Sequence, residues 1–245
     1  MTDASASRAD PAKSSSTAGI AVGRMEFQIQ PGLSLDGQRW LEARGLCPET
    51  ASRLGVTTAH AGRSEWVAFP TVVMGQVSGW QFRRMDDGEP RFLTAKGASE
   101  HVWNHDVLLD ETLADEPLII TEGRCDAIAA IQSGFPRTIS VPGGAAEPKA
   151  DGSTNTNYQF VGLLEPLIKS ARRIIIATDS DAPGLAMMGE LSRRLGRGRC
   201  QYIERPEGAK DLNALLLGYG EQAVQEAVRK AKWLHIKGVF LPSEL

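Results

Sequence analysis

The sequence predicts an α/β protein built on a parallel, doubly wound sheet, and three observations carry that expectation. Four short runs rich in β-branched residues occupy 118–121, 138–141, 173–178 and 200–203. Helical patterns at 124–133, 158–170 and 182–195 separate them, and another follows at 221–233. Gly134 and Gly196 stand where the first and third of these helices stop, as a left-handed cap requires. Strands alternating with helices imply parallel pairing, and ligands of such sheets bind beyond the carboxyl ends of the strands.

Upstream the pattern is different. Residues 1–24 are dominated by Ala, Ser and Thr with almost nothing large to bury, which predicts a disordered tail. A smaller α+β unit is expected over 25–112 and the sheet unit over 113–238, with 239–245 as a linker. In the smaller unit Trp40, Leu41 and Leu46 recur at helical spacing, Gly45 stops one helix and Pro48 opens the next. The segment ASRLGVT from Ala51 resembles the start of a helix-turn-helix, but Gly62 and a strand-like run arrive before a recognition helix. Residues 66–73 and 77–82 flank Met74-Gly75 and predict a hairpin, which leads into the loop-rich stretch RRMDDGEPRFLTAKG at 83–97.

Composition narrows the functional classes. The chain has 245 residues, 42% hydrophobic and 23% charged, which leaves room for a true core. Its 27 Lys and Arg against 30 Asp and Glu give a net charge of −3, so any polyanion contact comes from a local patch. Cys47, Cys125 and Cys200 lie far apart and form no CxxC pair, which excludes a four-cysteine zinc ribbon and fits a reducing compartment. No run approaches the roughly 18 apolar residues of a membrane span, and the first residues lack a signal-peptide profile. A cytoplasmic protein that does not bind membranes is expected.

Two of the strands end in acids. PLIITEG places Glu122 and Gly123 at the turn into a helix, and RRIIIATDSDAPG places Asp179 and Asp181 at the next such turn. Any one of them is explained by capping and the helix dipole. Three carboxylates within about 4–6 Å, however, repel by a few kcal/mol per pair at an effective dielectric near 20, which calls for a counter-cation or raised pKa values. An all-oxygen set suits Mg²⁺ or Mn²⁺ over zinc. A calcium loop fits DSDAPGLAMMGE in spacing, with Gly184 sixth and Glu190 twelfth, but Pro183 takes a ligand position and a strand precedes it. There is no Walker sequence, since Pro148 stands before Lys149 where a second Gly is needed, and no G-x-G-x-x-G follows a strand.

A strand ending in Glu-Gly with Asp126 three residues on, then a strand ending in Asp-x-Asp followed by Gly184, resembles the TOPRIM domain of DnaG-type primases, topoisomerases and some nucleases. KDLNALL, with Lys210, Asp211 and Asn213, is similar to the Lys-Asp element of the primase branch, and GWQFRRMDDGEPRFLTAKG to the basic subdomain before it. The stretch 33–245 thus resembles the primase half of a phage-type or Twinkle-like primase-helicase, without the zinc ribbon with which such primases usually begin.

The resemblance implies a TOPRIM Rossmann-like sheet preceded by a basic subdomain. It implies metal-dependent synthesis of short RNA primers from ribonucleoside triphosphates on single-stranded DNA, beside a replicative helicase. Glu122, Asp179 and Asp181 become the catalytic, metal-holding acids, with Asp211 as a further ligand; Lys210 faces phosphate, or else Asp211 merely caps a helix and Lys210 is solvated. Arg83, Arg84, Arg91 and Lys96 grip template and nucleotide phosphates, unless they form a solvated hairpin end among Asp86, Asp87 and Glu89. Arg124 reaches a triphosphate. Gly123 and Gly143-Gly144 let the backbone approach nucleotide or metal closely, or else serve ordinary turns; Gly184 serves a turn, Asp126 answers a helix dipole, and the arginines at 193, 194, 197 and 199 have no assigned role. His101 and His105 read as packing, and Trp66, Trp80 and Trp103 as core before base-stacking. A TOPRIM nuclease and a non-catalytic single-strand-binding or replisome module are the competing readings.

Overall fold

The structure, a computed structural model, describes residues 19–95, 98, 100–144, 158–169 and 171–234. Most of the expected tail, the 239–245 linker and Lys96 lie outside them. The tail expectation fails at its end: β1 (Ile20–Val22) pairs with β2 (Met25–Ile29), with Ile20 opposite Phe27. Gly23, at φ 59°, makes the tight reversal that a tail reading overlooks.

Those strands join β3 (Thr57–Ala61), β4 (Ser64–Val73), β5 (Gln76–Arg84) and β6 (Phe92–Thr94) in an antiparallel sheet ordered β1 to β6. The β4–β5 turn is the expected Met74-Gly75 pair, with both residues at positive φ (52° and 76°), the primed-turn geometry that matches strand twist. Asp106 accepts from both of their N–H groups at 2.7 Å. Side chains alternate across the sheet. Phe27, Trp66 and Phe82 pack on one face, while Val67 and Phe69 join the other core.

Between β2 and β3 lie α1 (Leu35–Glu42), capped by Ser34, and α2 (Pro48–Arg53), opened by its proline. Gln132 ties their corner down by accepting from Cys47 N–H at 3.0 Å and donating to the Gly45 carbonyl at 3.1 Å.

The second sheet contains β7 (Leu118–Thr121), β8 (Thr138–Ser140), β9 (Ile174–Ala177), β10 (Cys200–Tyr202) and β11 (Lys232–Trp233), in the order β11-β10-β9-β7-β8. Four strands are parallel, as expected; β11 is an antiparallel edge. Both faces are buried, which is why the strands read as continuous apolar runs. Ile119 and Ile175 face α3 (Arg124–Gln132), α6 (Leu212–Arg229) and the α1–α2 corner, whereas Ile120, Ile174 and Ile176 face α4 (Gln159–Leu164) and α5 (Ala182–Leu195). The first of these cores is continuous with Val67 and Phe69, so the two sheets share it.

Two helix expectations change. The helix expected at 221–233 is the second half of α6, which starts at Leu212 and breaks at Gly220 (φ 79°, ψ 175°), and Trp233 belongs to β11. The fourth helix is shorter than its apolar pattern and gives way to turns after Leu164. Among the described residues no helix is long and apolar enough to cross a membrane.

Candidate active site

The chain leaves β7 through α3 on one face of the sheet and β9 through α5 on the other. Because β7 and β9 are neighbours, a crevice opens at their carboxyl ends. Glu122 follows β7 directly, and Asp179 stands two residues beyond β9. The Asp179 N–H points at Glu122 Oε2 from 3.4 Å. Ser140 Oγ donates to the Glu122 carbonyl at 3.1 Å, and Gly144, at φ +69°, brings the loop after β8 against the Glu122 carboxylate.

Asp181 is exposed at the start of α5 and accepts from Gly184 N–H at 2.9 Å. It caps the helix and also lies close enough to Asp179 to disfavour that group's ionisation. Gly184 is there for space, since a Cβ at this position would strike the Asp179 backbone carbonyl.

The acids do not converge in the expected way. Among the described residues no three Asp, Glu, His or Cys side chains form a ready metal cage. Asp126, Asp179 and Asp211 lie within electrostatic reach of one another, and Lys210 and Arg205 offset their repulsion. Lys210 Nζ lies 3.0 Å from Asp179 Oδ2 and 3.4 Å from Asp211 Oδ2. Asp126 is buried; desolvation and the neighbouring Asp211 push its carboxyl well above the usual range, against the Asn213 N–H that donates to it at 2.9 Å. Burial raises Asp179 as well, with Lys210 opposing. Asp211 caps α6 through Ala214 N–H at 2.6 Å. Capping and pairing with Lys210 therefore coexist in Asp211.

Sequence reasoning misses three functional candidates. Asp126 reads there as an answer to the helix dipole; its position four residues after Glu122, on the first turn of α3, is the available signal. Gly123 leaves the space its carboxylate occupies, since a Cβ there would meet Asp126 Oδ2. Arg205 carries no signal. It donates to the Thr178 carbonyl at 2.6 Å and lies within electrostatic reach of Asp126, Asp179 and Asp211, with Nε and Nη1 buried and unmatched. Arg44 ends the turn after α1, stacked at 3.6 Å over Trp40 and close enough to Arg83 and Cys125 to perturb both.

The expected phosphate grips divide sharply. Arg124 does not face a ligand: it is buried and donates to the Phe69 carbonyl at 2.9 Å. It stitches α3 to β4, because the first turn of α3 lies under the other sheet. Arg83 and Arg84 are adjacent on β5, so alternation sends them to opposite faces. Arg84 turns to Trp66 and is held by Asp86, Ser64 and the Glu89 carbonyl, which removes it from the cleft. Arg91 pairs with Glu89 at 3.3 Å. Arg83 faces the α3 side, half-buried beside Arg44 and Cys125, while Lys96 lies outside the described residues. Trp66 and Trp103 are fully buried, as a core reading expects, and the rings of His101 and His105 pack edge to face.

Comparison with known proteins accords with this geometry. Residues 116–203 match the Toprim domain family model, covering β7 to the end of β10. The fold matches the primase fragment of the bacteriophage T7 primase-helicase with a TM-score of 0.61 at 20% identity, over 77% of this chain and 72% of that one. The Arabidopsis thaliana Twinkle homolog protein, chloroplastic/mitochondrial, is 30% identical over 215 residues, spanning 83% of this chain and 29% of the relative. The Gene 57 protein of Mycobacterium phage D29 is 30% identical over 152 residues, 62% of this chain and 87% of that protein.

The chain carries a Toprim domain and is homologous to the Twinkle and primase homolog proteins of Arabidopsis thaliana. Its Toprim sheet carries Glu122 and Asp179 just past the ends of β7 and β9, and the antiparallel sheet precedes it in the chain. The chain spans under a third of the length of the Twinkle relative.

Proposed function

We propose that the protein is a DNA primase catalytic core that makes short RNA primers on single-stranded DNA. The observation that carries this reading is the meeting of Glu122 and Asp179 at adjacent strand ends, joined there by Asp126 and Asp211 and flanked by Arg44 and Arg83. In this reading 25–112 is the basic subdomain and 113–238 the Toprim unit of a cytoplasmic protein.

The donor set fits a hard divalent cation, because its side chains offer only carboxylate oxygens and already attract the ammonium of Lys210. Glu122, Asp179 and Asp181 would hold Mg²⁺ or Mn²⁺, with Asp211 as a further ligand. Such a cation supplies charge that favours the attacking 3′-hydroxylate and offsets the developing charge on pyrophosphate.

The chain's own residues do the positioning. Lys210 is 64% exposed, while its backbone carbonyl accepts from Ser180 N–H at 2.9 Å, so its ammonium can turn from Asp179 to a triphosphate without moving the chain. Arg205 holds compensating positive charge beneath the acids. Arg44 and Arg83 bind template phosphates along the cleft. Ribonucleoside triphosphates and single-stranded DNA are the substrates, and a replicative helicase is the partner.

The test incubates the protein with single-stranded DNA, ribonucleotides and Mg²⁺ or Mn²⁺, beside Asp179→Asn. Metal-dependent oligoribonucleotides that disappear in the variant are expected. Fragments of the input DNA would assign a nuclease instead, and DNA binding with no product in either protein would assign a binding module.

A further inference from the structure

We propose that Phe92 is a stacking platform for an unpaired base of the nucleic-acid strand that enters the cleft. The inference rests on the primase reading for the identity of the strand, and on strand geometry for the site. Phe92 lies directly opposite Arg83 in the β5–β6 pair, so both project from the same face of the sheet. Further in, that face carries Val67 and Phe69 and packs against α3. At the β6 edge the same face leaves the core, and Phe92 remains 56% exposed.

The surroundings specify what covers the ring. Arg83 places its guanidinium 4.2 Å from the Phe92 centroid, a cation–π contact that fixes both side chains. Arg44 and Cys125 lie within electrostatic reach of Arg83, and Asp126 within that of Cys125. An exposed aromatic surface thus lies against one guanidinium, with a second guanidinium within electrostatic reach. Glu89 also reaches Arg83, but it pairs with Arg91. Burial, and after it the neighbouring Arg44, disfavour the charge on Arg83, a cost that a polyanion relieves.

A ligand that satisfies both features carries phosphates and a free flat π-face, which describes single-stranded nucleic acid. Every base has such a face, so this contact tolerates sequence. A duplex buries its faces in its own stack and would use the guanidiniums alone. An acidic peptide would likewise use only the arginines.

The experiment measures binding of the full chain to a fluorescently labelled single-stranded oligodeoxynucleotide and to the same sequence as a duplex. Phe92→Ala is expected to weaken single-strand binding about 5- to 150-fold, the span for one stacked base. Because no charge is removed, the slope of log affinity against log salt stays that of the parent. Phe92→Trp should keep the affinity, and the emission of the introduced indole should be quenched by the single strand and not by the duplex. Melting curves of both variants check folding, which the exposure of the ring should preserve. Unchanged affinity in Phe92→Ala, or an indole emission in Phe92→Trp that ignores the single strand or responds equally to duplex, overturns the proposal while leaving the primase reading intact. Failure of the parent protein to bind any single strand would instead remove the primase reading, and this inference with it.

Discussion

The Arg124 guanidinium donates to the Phe69 carbonyl at 2.9 Å and to Thr71 Oγ1 at 3.4 Å, across 55 and 53 residues of chain. Through it the first turn of α3, and with it the Glu122-Gly123 corner, is fixed to β4. Burial lowers the guanidinium pKa to about 9, which still leaves it charged at neutral pH.

Arg124→Met should therefore behave as a stability variant. It leaves a buried carbonyl without its donor, a loss of about 1–3 kcal/mol. Denaturant unfolding is expected to show this cost, while nucleotide affinity measured well below the melting temperature stays near that of the parent. A selective loss of triphosphate binding with unchanged stability would return Arg124 to the phosphate site.

Gly184→Ala tests the close approach of α5 to the end of β9. The added methyl group would strike the Asp179 carbonyl, and overpacking of this kind costs about 1–3 kcal/mol. The Asp179 backbone must move, so Mn²⁺ affinity read by electron paramagnetic resonance should fall together with stability. Gly189→Ala, in the interior of α5 with nothing within 4 Å of the added Cβ, is the control expected to leave Mn²⁺ affinity unchanged and to raise stability by about 0.5–1 kcal/mol through helix propensity.

Asp126 sets a pH dependence of definite sign. Its folded-state pKa lies well above the unfolded value, near 3.9, because the carboxyl is buried beside Asp211. The folded state holds the proton more tightly, so this contribution is fully present below about pH 3.9 and is lost as pH rises through the folded value. Asp126→Asn keeps an oxygen to accept from Asn213 N–H and carries no charge. In EDTA it should melt higher than the parent at pH 7–8, with the advantage vanishing near pH 4; an advantage that grows on acidification would contradict the buried-proton account.

Glu190 has the opposite sign. Hydrogen bonds from Arg193 and then Arg194, at 2.7 and 2.6 Å, hold its carboxyl down to about 2. Its stabilisation is present above the unfolded pKa and is lost as pH falls through the folded one. The pair is largely solvated, so its contribution is discounted to about 1 kcal/mol or less. Glu190→Gln should cost that much at pH 7, less in high salt, and nothing near pH 2; equal costs at pH 7 and pH 3 would contradict the assignment.

Local signals located the scaffold of the site. The apolar run of β7, the Asp181 cap that opens α5 and the Met74-Gly75 turn all lie where periodicity and turn chemistry put them. Strand ends were legible for the same reason, which put Glu122 and Asp179 just past adjacent strands and Asp181 at the start of α5. The short strands β1 and β11 were not, because two or three residues carry too little pattern to stand apart from a tail or a helix end.

Spacing within a segment settled which elements form and which acids sit at the carboxyl ends of the strands. Only the tertiary structure decided which charges meet. Asn213 reaches the Arg44 carbonyl across 169 residues, Arg205 comes to lie under three acids, and adjacent Arg83 and Arg84 part to opposite faces. Secondary structure follows from hydrogen bonds and side-chain periods within a few residues. Burial and Coulomb interactions depend on distances that exist only once both sheets have packed on their common core.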